Sequence, residues 1–251
     1  MTQRQAVEAG DRDLADGTGA AHGRGRAVTA ADPSRPSARA CLALDVDGVV
    51  LDPERGGRGP WQAAFSARFR VDASRLDETL FTAAWADVIT RRRPVESALA
   101  DAFDELGWDM GVEAALQCWF EEDFFVEPTV MEAVNAWAAQ GTPLALVSNQ
   151  EPRRARFLEQ RLAPMLPISG SAVSGDLGAT KKDLEFYDRA ERRLEIVGLG
   201  PAVVFLDDTL GNVEAAARQG WTGIHFSKER DWQSEVADAL DRARGGPAPL
   251  P

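Results

Sequence analysis

Short runs of apolar residues recur along the chain, and three of them are almost continuous. They read CLALDV at 41–46, PLALVSN at 143–149 and AVVFLDD at 202–208. Runs of this kind are typical of strands that are covered on both faces in a parallel sheet. TGIHF at 222–226 predicts a fourth strand, and ISGSAV at 168–173 predicts a weaker fifth one.

Segments with apolar residues at helical spacing fill most of the intervals between these runs. Residues 131–141 lead into the second run, residues 151–165 follow it, and residues 210–220 follow the third. Pro152 suits a first helical turn, and Gly220 suits a helix C-terminus. Strands alternating with helices predict an α/β domain with helices on both faces of the sheet.

The interval from about 60 to 127 contains no strand-like run. Its apolar residues recur at helical spacing in WQAAFSARF, LDETLFTAAWADVI, VESALADAFDELGW and VEAALQCWFEEDFF. We therefore predict that a small helical bundle, residues 59–127, is inserted after the first strand. The α/β core then consists of residues 39–58 and 128–243.

Composition and charge narrow the classes of function. Of the 251 residues, 44% are hydrophobic and 27% are charged, an ordinary balance for a globular protein, and the formal net charge is −12. We expect no binding to nucleic acid or to an anionic membrane, because their phosphates would repel so acidic a chain. No apolar run approaches the ~20 residues of a membrane span, and no secretory signal is evident. The sequence therefore predicts a cytoplasmic protein.

Residues 1–38 and 244–251 contain few large apolar side chains and are predicted to be disordered tails. Cys41 and Cys118 lie in apolar contexts and are predicted to be reduced core thiols. Tryptophans within the helical patterns are predicted to pack in the core. They are Trp61, Trp85, Trp108, Trp119 and Trp137.

Polar residues stand at or just past the C-terminal ends of the three continuous runs. They are Asp45 and Asp47, Ser148 and Asn149, and Asp207 and Asp208. Ligands of open parallel sheets lie outside the carboxyl ends of the strands, so these side chains are expected to converge on one crevice. Clustered carboxylates repel one another unless a cation lies among them, and oxygen ligands suit Mg²⁺. Lys181 or Lys182 offers a further positive charge.

Two other interpretations of the acids at the strand ends compete with a shared Mg²⁺ site. The string DVDG resembles the middle of an EF-hand calcium loop, with Glu54 at the twelfth position. The first position would then be Ala43, which cannot ligate a cation, and the residues before it are typical of a strand. Alternatively, single acids such as Asp52 or Asp207 only cap a helix or a turn. Several acids, a serine and a lysine in this order favour one shared site instead.

Four segments resemble, in order, the motifs of the haloacid dehalogenase-like (HAD) superfamily. DVDGVVLD resembles motif I, LVSN motif II, GATKKDLEFY the motif III region and FLDDTLGNVEAA motif IV. The resemblance covers about residues 40–226. It implies a Rossmann-like, doubly wound parallel sheet with an α-helical cap inserted between motifs I and II, as in subfamily I. The helical interval described above agrees with this implication.

The resemblance also implies roles for the acids. Asp45 would be the nucleophile, and Asp47 would protonate the leaving oxygen and then deprotonate the attacking water. Asp45, the backbone carbonyl of Asp47 and Asp208 would hold Mg²⁺, with Asp207 as the second choice of carboxylate ligand. Many relatives carry an aspartate where this chain has Asn212, which would support the loop by hydrogen bonds.

The remaining polar residues would handle the phosphoryl group. Ser148 and local backbone N–H groups would bind its oxygens, with Asn149 beside them. Lys181 would balance the charge of Asp45 and of the transferred group. Lys182 stands where the family often has a proline, so Lys181 is the better aligned lysine without Lys182 being excluded.

The implied function is that of a Mg²⁺-dependent phosphatase that hydrolyses a small phosphorylated metabolite through an aspartyl-phosphate intermediate. Asp47 favours this chemistry over carbon–halogen hydrolysis, because dehalogenases of the family lack the second acid and need no metal. A phosphomutase acting on a sugar phosphate and a non-catalytic binding protein of the same fold are the alternatives. The protein is expected to be a monomer or a homodimer.

Overall fold

The computed structural model describes residues 40–82, 84–196 and 202–245. The tail predicted for residues 1–38 lies outside these ranges. The tail predicted for 244–251 is described only at its first two residues, which follow the last helix. In the part of the chain that is described, no helix is both long and apolar enough to cross a bilayer.

Within the described residues, five parallel strands form one sheet in the order β3-β2-β1-β4-β5. They are β1 (Ala40–Leu44), β2 (Leu144–Ser148), β3 (Ile168–Val173), β4 (Ala202–Asp207) and β5 (Thr222–His225). The predicted α/β fold with a parallel sheet is confirmed. The strand order reverses between β1 and β4, which is the point where ligands of such sheets bind.

The interval after β1 is helical. It contains α1 (Trp61–Phe69), a 3₁₀ turn (Ala73–Arg75), α2 (Leu76–Thr79), α3 (Trp85–Ile89), α4 (Val95–Leu106) and α5 (Val112–Glu122). Pro94 precedes α4, and Gly107 ends it in the left-handed conformation. The segment LDETLFTAAWADVI does not form one helix but contributes the two short helices α2 and α3. These helices bury their own apolar cluster, which we call the cap core.

The second half of the chain alternates helices with the strands. Its helices are α6 (Pro128–Ala139), α7 (Pro152–Leu162), α8 (Ser174–Leu177), α9 (Leu184–Ile196), α10 (Leu210–Arg218) and α11 (Trp232–Ala243). The helices α6 and α7 begin in the same way, with a proline after Glu127 or Glu151. The Glu127 carboxylate accepts a hydrogen bond from the Thr129 amide, and the Glu151 carboxylate accepts one each from the Arg153 and Arg154 amides, which stabilises the start of each helix.

Both faces of the sheet are covered, which explains why its strands read as continuous apolar runs. Leu42 and Leu44 of β1 belong to an apolar cluster with residues of α6, α7 and α11. Cys41 and Ala43, which alternate with them, belong to a second cluster with residues of α9 and α10. Cys41 and Cys118 are buried free thiols.

Two linkers join the cap helices to the sheet and lie side by side. Leu51 of the first linker forms an antiparallel bridge with Val126 of the second. Arg153 at the start of α7 forms an ion pair with Glu96 of α4, with 2.8 Å between Nη1 and Oε1. The cap is therefore held next to the loop that follows β2.

Candidate active site

Asp45 lies directly after β1 and is only 4% exposed. Its amide donates to the carbonyl of Leu206 at 2.9 Å, which continues the pairing of β1 with β4. Oδ1 accepts hydrogen bonds from Ser148 Oγ and from the Val46 amide, each at 2.7 Å, and Oδ2 lies 2.7 Å from Lys181 Nζ. The fold thus brings together three of the predicted residues from three distant segments.

Lys181 is the lysine that the fold places among the acids. Its side chain is 3% exposed, and Nζ lies 2.7 Å from Oδ2 of both Asp45 and Asp207, whereas Lys182 is exposed. Burial lowers the pKa of Lys181, but the two carboxylates outweigh this and raise it above its ordinary value. Burial also raises the pKa of Asp45, to about 7, against the opposing charge of Lys181.

Asn149, the residue after β2, positions the lysine loop. Its Oδ1 accepts a hydrogen bond from the Lys181 amide at 2.9 Å. This contact fixes the loop before α9 relative to the end of β2. Asn149 also lines the cavity described below.

Asp207 and Asp208 at the end of β4 have different surroundings. Asp207 is completely buried, and its Oδ1 accepts hydrogen bonds from the Thr209 amide at 2.8 Å and from Asn212 Nδ2 at 3.1 Å. Asp208 is an exposed residue, but partial burial of its carboxyl and, as the smaller cause, the charge of Asp207 raise its pKa. Asn212 therefore supports the loop through Asp207, and Asp208 is the acid that is free to reach an ion.

The acids at the ends of β1 and β4 fit a divalent cation. Asp45, Asp207 and Asp208 each offer a carboxylate oxygen, and these oxygens lie within 4.8 Å of one another. A set of oxygen ligands suits Mg²⁺. Gly48 closes over this group with a φ of +82°, and a Cβ built on it would lie 2.2 Å from Asp208 Oδ2. The backbone thus approaches the acids more closely than any other residue type would allow.

Asp47 lies outside the group of three carboxylates and has its own partners. Its Oδ1 accepts a hydrogen bond from Arg154 Nη2 at 2.7 Å, and its Oδ2 accepts one from Arg154 Nη1 at 2.8 Å. The two residues thus form a bidentate ion pair. Gln150 Nε2 donates to Oδ2 at 2.7 Å. Partial burial acts to raise the pKa of Asp47, but the charge and hydrogen bonds of Arg154 outweigh it and lower the pKa.

Arg154 joins this acid to the cap. It is 4% exposed and pairs with Asp47 of the core and with Asp123, which follows α5. Its guanidinium also lies over the ring of Trp119, 6.0 Å from the centroid. Sequence reasoning missed Arg154, Asp123 and Gln150. The position of Gln150 and Arg154 could have indicated them, because residues 150–154 surround the start of a helix that follows a strand of the site.

A cavity of about 320 Å³ opens beside Asp47, between the loop after β1 and the cap. Aromatic side chains of the cap form one wall of it: Trp61, Phe81, Trp85 and Trp119. The polar residues lining it include Asn149, Gln150 and Arg154. The arrangement provides a recess for an organic group next to the acids of the sheet.

Comparisons with known proteins agree with this geometry. The family model for haloacid dehalogenase-like hydrolases matches residues 40–220. A search of curated proteins finds no match. Among solved structures, the HAD family enzyme bt-2542 of Bacteroides thetaiotaomicron, in complex with magnesium and inorganic phosphate, has a TM-score of 0.60 at 14% identity, covering 79% of this chain and 98% of that one.

Two further structures show the range of chemistry on this fold. The L-2-haloacid dehalogenase of Xanthobacter autotrophicus, with chloropropionic acid covalently bound, has a TM-score of 0.56 at 17% identity and 85% coverage of both chains. A HAD phosphatase of Thermococcus onnurineus has a TM-score of 0.50 at 18% identity, covering 76% of this chain and 87% of that one. At these identities the likeness shows the fold alone. The family model covers most of the chain, and the protein belongs to the haloacid dehalogenase-like hydrolases.

Proposed function

We propose that this hydrolase is a Mg²⁺-dependent phosphatase that cleaves a small phosphomonoester through phosphorylation of Asp45. The observation that carries the proposal is the set of contacts around that carboxylate. Asp45 is buried between the Ser148 hydroxyl and the Lys181 ammonium, with Asp207 and Asp208 close by. The structural likeness to an enzyme solved with magnesium and inorganic phosphate supports it.

In the first step, an oxygen of Asp45 forms a bond to phosphorus while the bond from phosphorus to the ester oxygen breaks. The leaving oxygen keeps the bonding electrons and takes a proton from Asp47. In the second step, water attacks phosphorus, Asp47 accepts its proton, and the carboxylate of Asp45 is released with inorganic phosphate. Lys181 and Ser148, which both contact Asp45, would hold the phosphoryl oxygens beside the nucleophile.

Anionic groups meet in both steps, so neutralisation of charge is essential. Lys181 supplies one positive charge, 2.7 Å from Asp45 Oδ2. Asp45, Asp208 and the backbone carbonyl of Asp47 would hold Mg²⁺, with Asp207 as the alternative carboxylate. When bound, the ion neutralises charge on the phosphoryl oxygens.

Asp47 has to change its protonation state between the steps. Arg154 and Gln150 stabilise its ionised form, which is the form that accepts a proton from water. For the first step Asp47 must carry a proton, so its contacts with Arg154 have to loosen when the leaving group occupies the cavity. The resemblance of the segment around Asp47 to motif I implies that Asp47 acts as an acid–base catalyst. Dehalogenase chemistry does not need this role.

The proposal is tested by hydrolysis of p-nitrophenyl phosphate in the presence of Mg²⁺. Asp45→Asn is expected to lower kcat at least about 10³-fold, and Asp47→Asn at least about 10²-fold. Asp238→Asn, on the exposed side of α11, is the matched control and is expected to retain wild-type activity. EDTA is expected to abolish activity, and added Mg²⁺ to restore it.

Two results would contradict the proposal. Full activity of Asp45→Asn would remove the assigned nucleophile. Release of chloride from 2-chloropropionic acid by the wild-type protein, without hydrolysis of any phosphate ester, would place the protein with the dehalogenases of its family.

A further inference from the structure

We infer that the substrate is a phosphomonoester of an uncharged alcohol that carries an aromatic ring, and that this ring occupies the cavity beside Asp47. The inference rests on the proposed function, since it names the class of ester that the phosphatase site would accept. Two observations support it. Aromatic rings form a wall of the cavity, and every charged side chain among the described lining residues already has an ion-pair or hydrogen-bond partner within the protein.

The aromatic wall is a set of rings from three parts of the cap. Trp61 and Trp119 are stacked, with centroids 5.4 Å apart and an angle of 27° between the ring planes. Phe81 stands edge-on to Trp119 at 5.5 Å and to Trp85 at 4.9 Å. Phe81 and Trp85 are only half-buried although they belong to the cap core, so both retain surface toward the cavity.

Such a wall favours a ring over a polar chain. Aromatic rings gain stabilisation from stacked and edge-on neighbours beyond that of apolar burial alone. Phe81 and Trp85 retain the most surface for an incoming ring, while Trp61 and Trp119 are only 8% and 5% exposed. The volume of about 320 Å³ accommodates a ring system on a short connection to the phosphate but not a long acyl or peptide chain.

The charges around the cavity are already paired within the protein. Arg154 is the sole cation among the described lining residues, and it is paired with both Asp47 and Asp123. Glu151 is buried, and its carboxylate accepts hydrogen bonds from the amides of Arg153 and Arg154. Each charged side chain of the described lining thus already has partners within the protein, and Nε is the one guanidinium nitrogen of Arg154 that has no hydrogen bond.

This pairing argues against a charged leaving group. A carboxylate or a second phosphate entering the cavity would meet three acids and a cation that is already engaged. An ammonium group would meet Arg154, which already occupies the cation position over Trp119. An anion would face the three carboxylates, an ammonium group would find each of these carboxylates already engaged, and the loss of water disfavours the binding of both. An uncharged group avoids this cost.

Four esters with alkoxide leaving groups separate these possibilities. They are benzyl phosphate, 4-carboxybenzyl phosphate, phosphocholine and glycerol 3-phosphate, assayed with the full chain and Mg²⁺ by release of inorganic phosphate. We expect kcat/KM for benzyl phosphate to exceed that of each of the other three at least about tenfold. A higher kcat/KM for the carboxylated ester or for phosphocholine would overturn the inference.

Variants of the wall show whether the cavity causes the preference. Trp85→Leu is expected to lower kcat/KM for benzyl phosphate about tenfold and to leave that for glycerol 3-phosphate within about twofold. Phe81→Leu is a second variant with the same expectation. Trp108→Leu, which removes a cap tryptophan that packs on Phe103 rather than lining the cavity, is the control and should leave both values unchanged. Equal losses on both esters would refute the role of the wall.

A binding measurement distinguishes failure of this inference from failure of the proposed function. Benzylphosphonate and 4-carboxybenzylphosphonate, which cannot be hydrolysed, are titrated while tryptophan fluorescence is recorded. Tighter binding of the uncharged compound by at least about tenfold, reduced in Trp85→Leu, is expected. If no ester is hydrolysed but this preference is present, the phosphatase assignment fails and the preference of the cavity stands. Absence of the preference overturns the inference by itself.

Discussion

Gly48 offers the most direct test of how the acids are held, because a single methyl group would reach one of them. Its φ is +82°, a conformation in which an alanine costs about 1–2 kcal/mol. A Cβ at this position would also lie 2.2 Å from Oδ2 and 2.6 Å from Cγ of Asp208, where ordinary contacts begin at 3.4 Å. The carboxylate must therefore move by roughly 1.2 Å, the difference between the two distances from Oδ2.

Displacement of this size is expected to matter more for activity than for stability. Asp208 is an exposed side chain that can rotate away, so Gly48→Ala should cost only about 1–3 kcal/mol of unfolding free energy. A misplacement of about 1 Å in a catalytic site can lower the rate about 10²-fold, and we expect a loss of that order in kcat/KM. We also expect Mg²⁺ to bind at least about tenfold more weakly to the variant.

Gly57→Ala is a matched control for the backbone conformation. Gly57 has a φ of +85°, and a Cβ there would meet no atom within 4 Å. The control should therefore lose about 1–2 kcal/mol of stability and keep its activity within about threefold. Urea unfolding gives the free energies, calorimetric titration gives the Mg²⁺ affinity, and hydrolysis of p-nitrophenyl phosphate gives the rates. Wild-type activity and Mg²⁺ affinity in Gly48→Ala, or equal losses in both variants, would refute the reasoning.

Two further predictions concern stability. Tyr187 is fully buried, and its hydroxyl donates a hydrogen bond to the carbonyl of Asn212 at 2.8 Å. Tyr187→Phe should therefore lower the free energy of unfolding by about 1–2 kcal/mol. An unchanged midpoint of urea unfolding would contradict this. Lys228 Nζ lies 2.6 Å from Glu127 Oε2 and 3.2 Å from Asp52 Oδ1. Burial acts to raise the pKa of both carboxyls, but hydrogen bonds from backbone amides and from Lys228 outweigh burial and lower the pKa. The two carboxylates therefore stabilise the fold at neutral pH, and this stabilisation is lost as pH falls below about 4. Lys228→Met should therefore lower the free energy of unfolding by only about 1 kcal/mol at pH 7, because the ammonium is half exposed, and by progressively less in acid. Urea unfolding measures this difference, and a difference from wild type that does not depend on pH would argue against the prediction.

The strands and their terminal acids could be predicted from the sequence because burial leaves a direct pattern. A strand covered on both faces has to be apolar at every position, and each break in that pattern at a strand end marks the edge where ligands bind. Asp45, Ser148 and Asp208 were found in this way. The helical character of the insertion could be predicted for the same reason, since each helix shows the apolar spacing of its buried face.

Other features depended on distance in the folded chain. Asp47 and Arg154 are 107 positions apart, and nothing in either local pattern indicates that they pair. The choice of Lys181 over Lys182 was likewise decided by which side chain the loop before α9 turns inward. Trp85 was predicted to be a core residue from its spacing, but it is half-buried and lines the cavity.

The sequence by itself determined the parallel α/β sheet, the helical insertion and the set of acids at the strand ends. Each of these is recorded in the order and spacing of apolar and polar residues along one segment. Only the tertiary structure decided which cation pairs with which acid and which aromatic rings face the cavity. Those outcomes depend on the relative placement of cap and sheet, and side chains from segments that are far apart along the chain compete for the same partners in space.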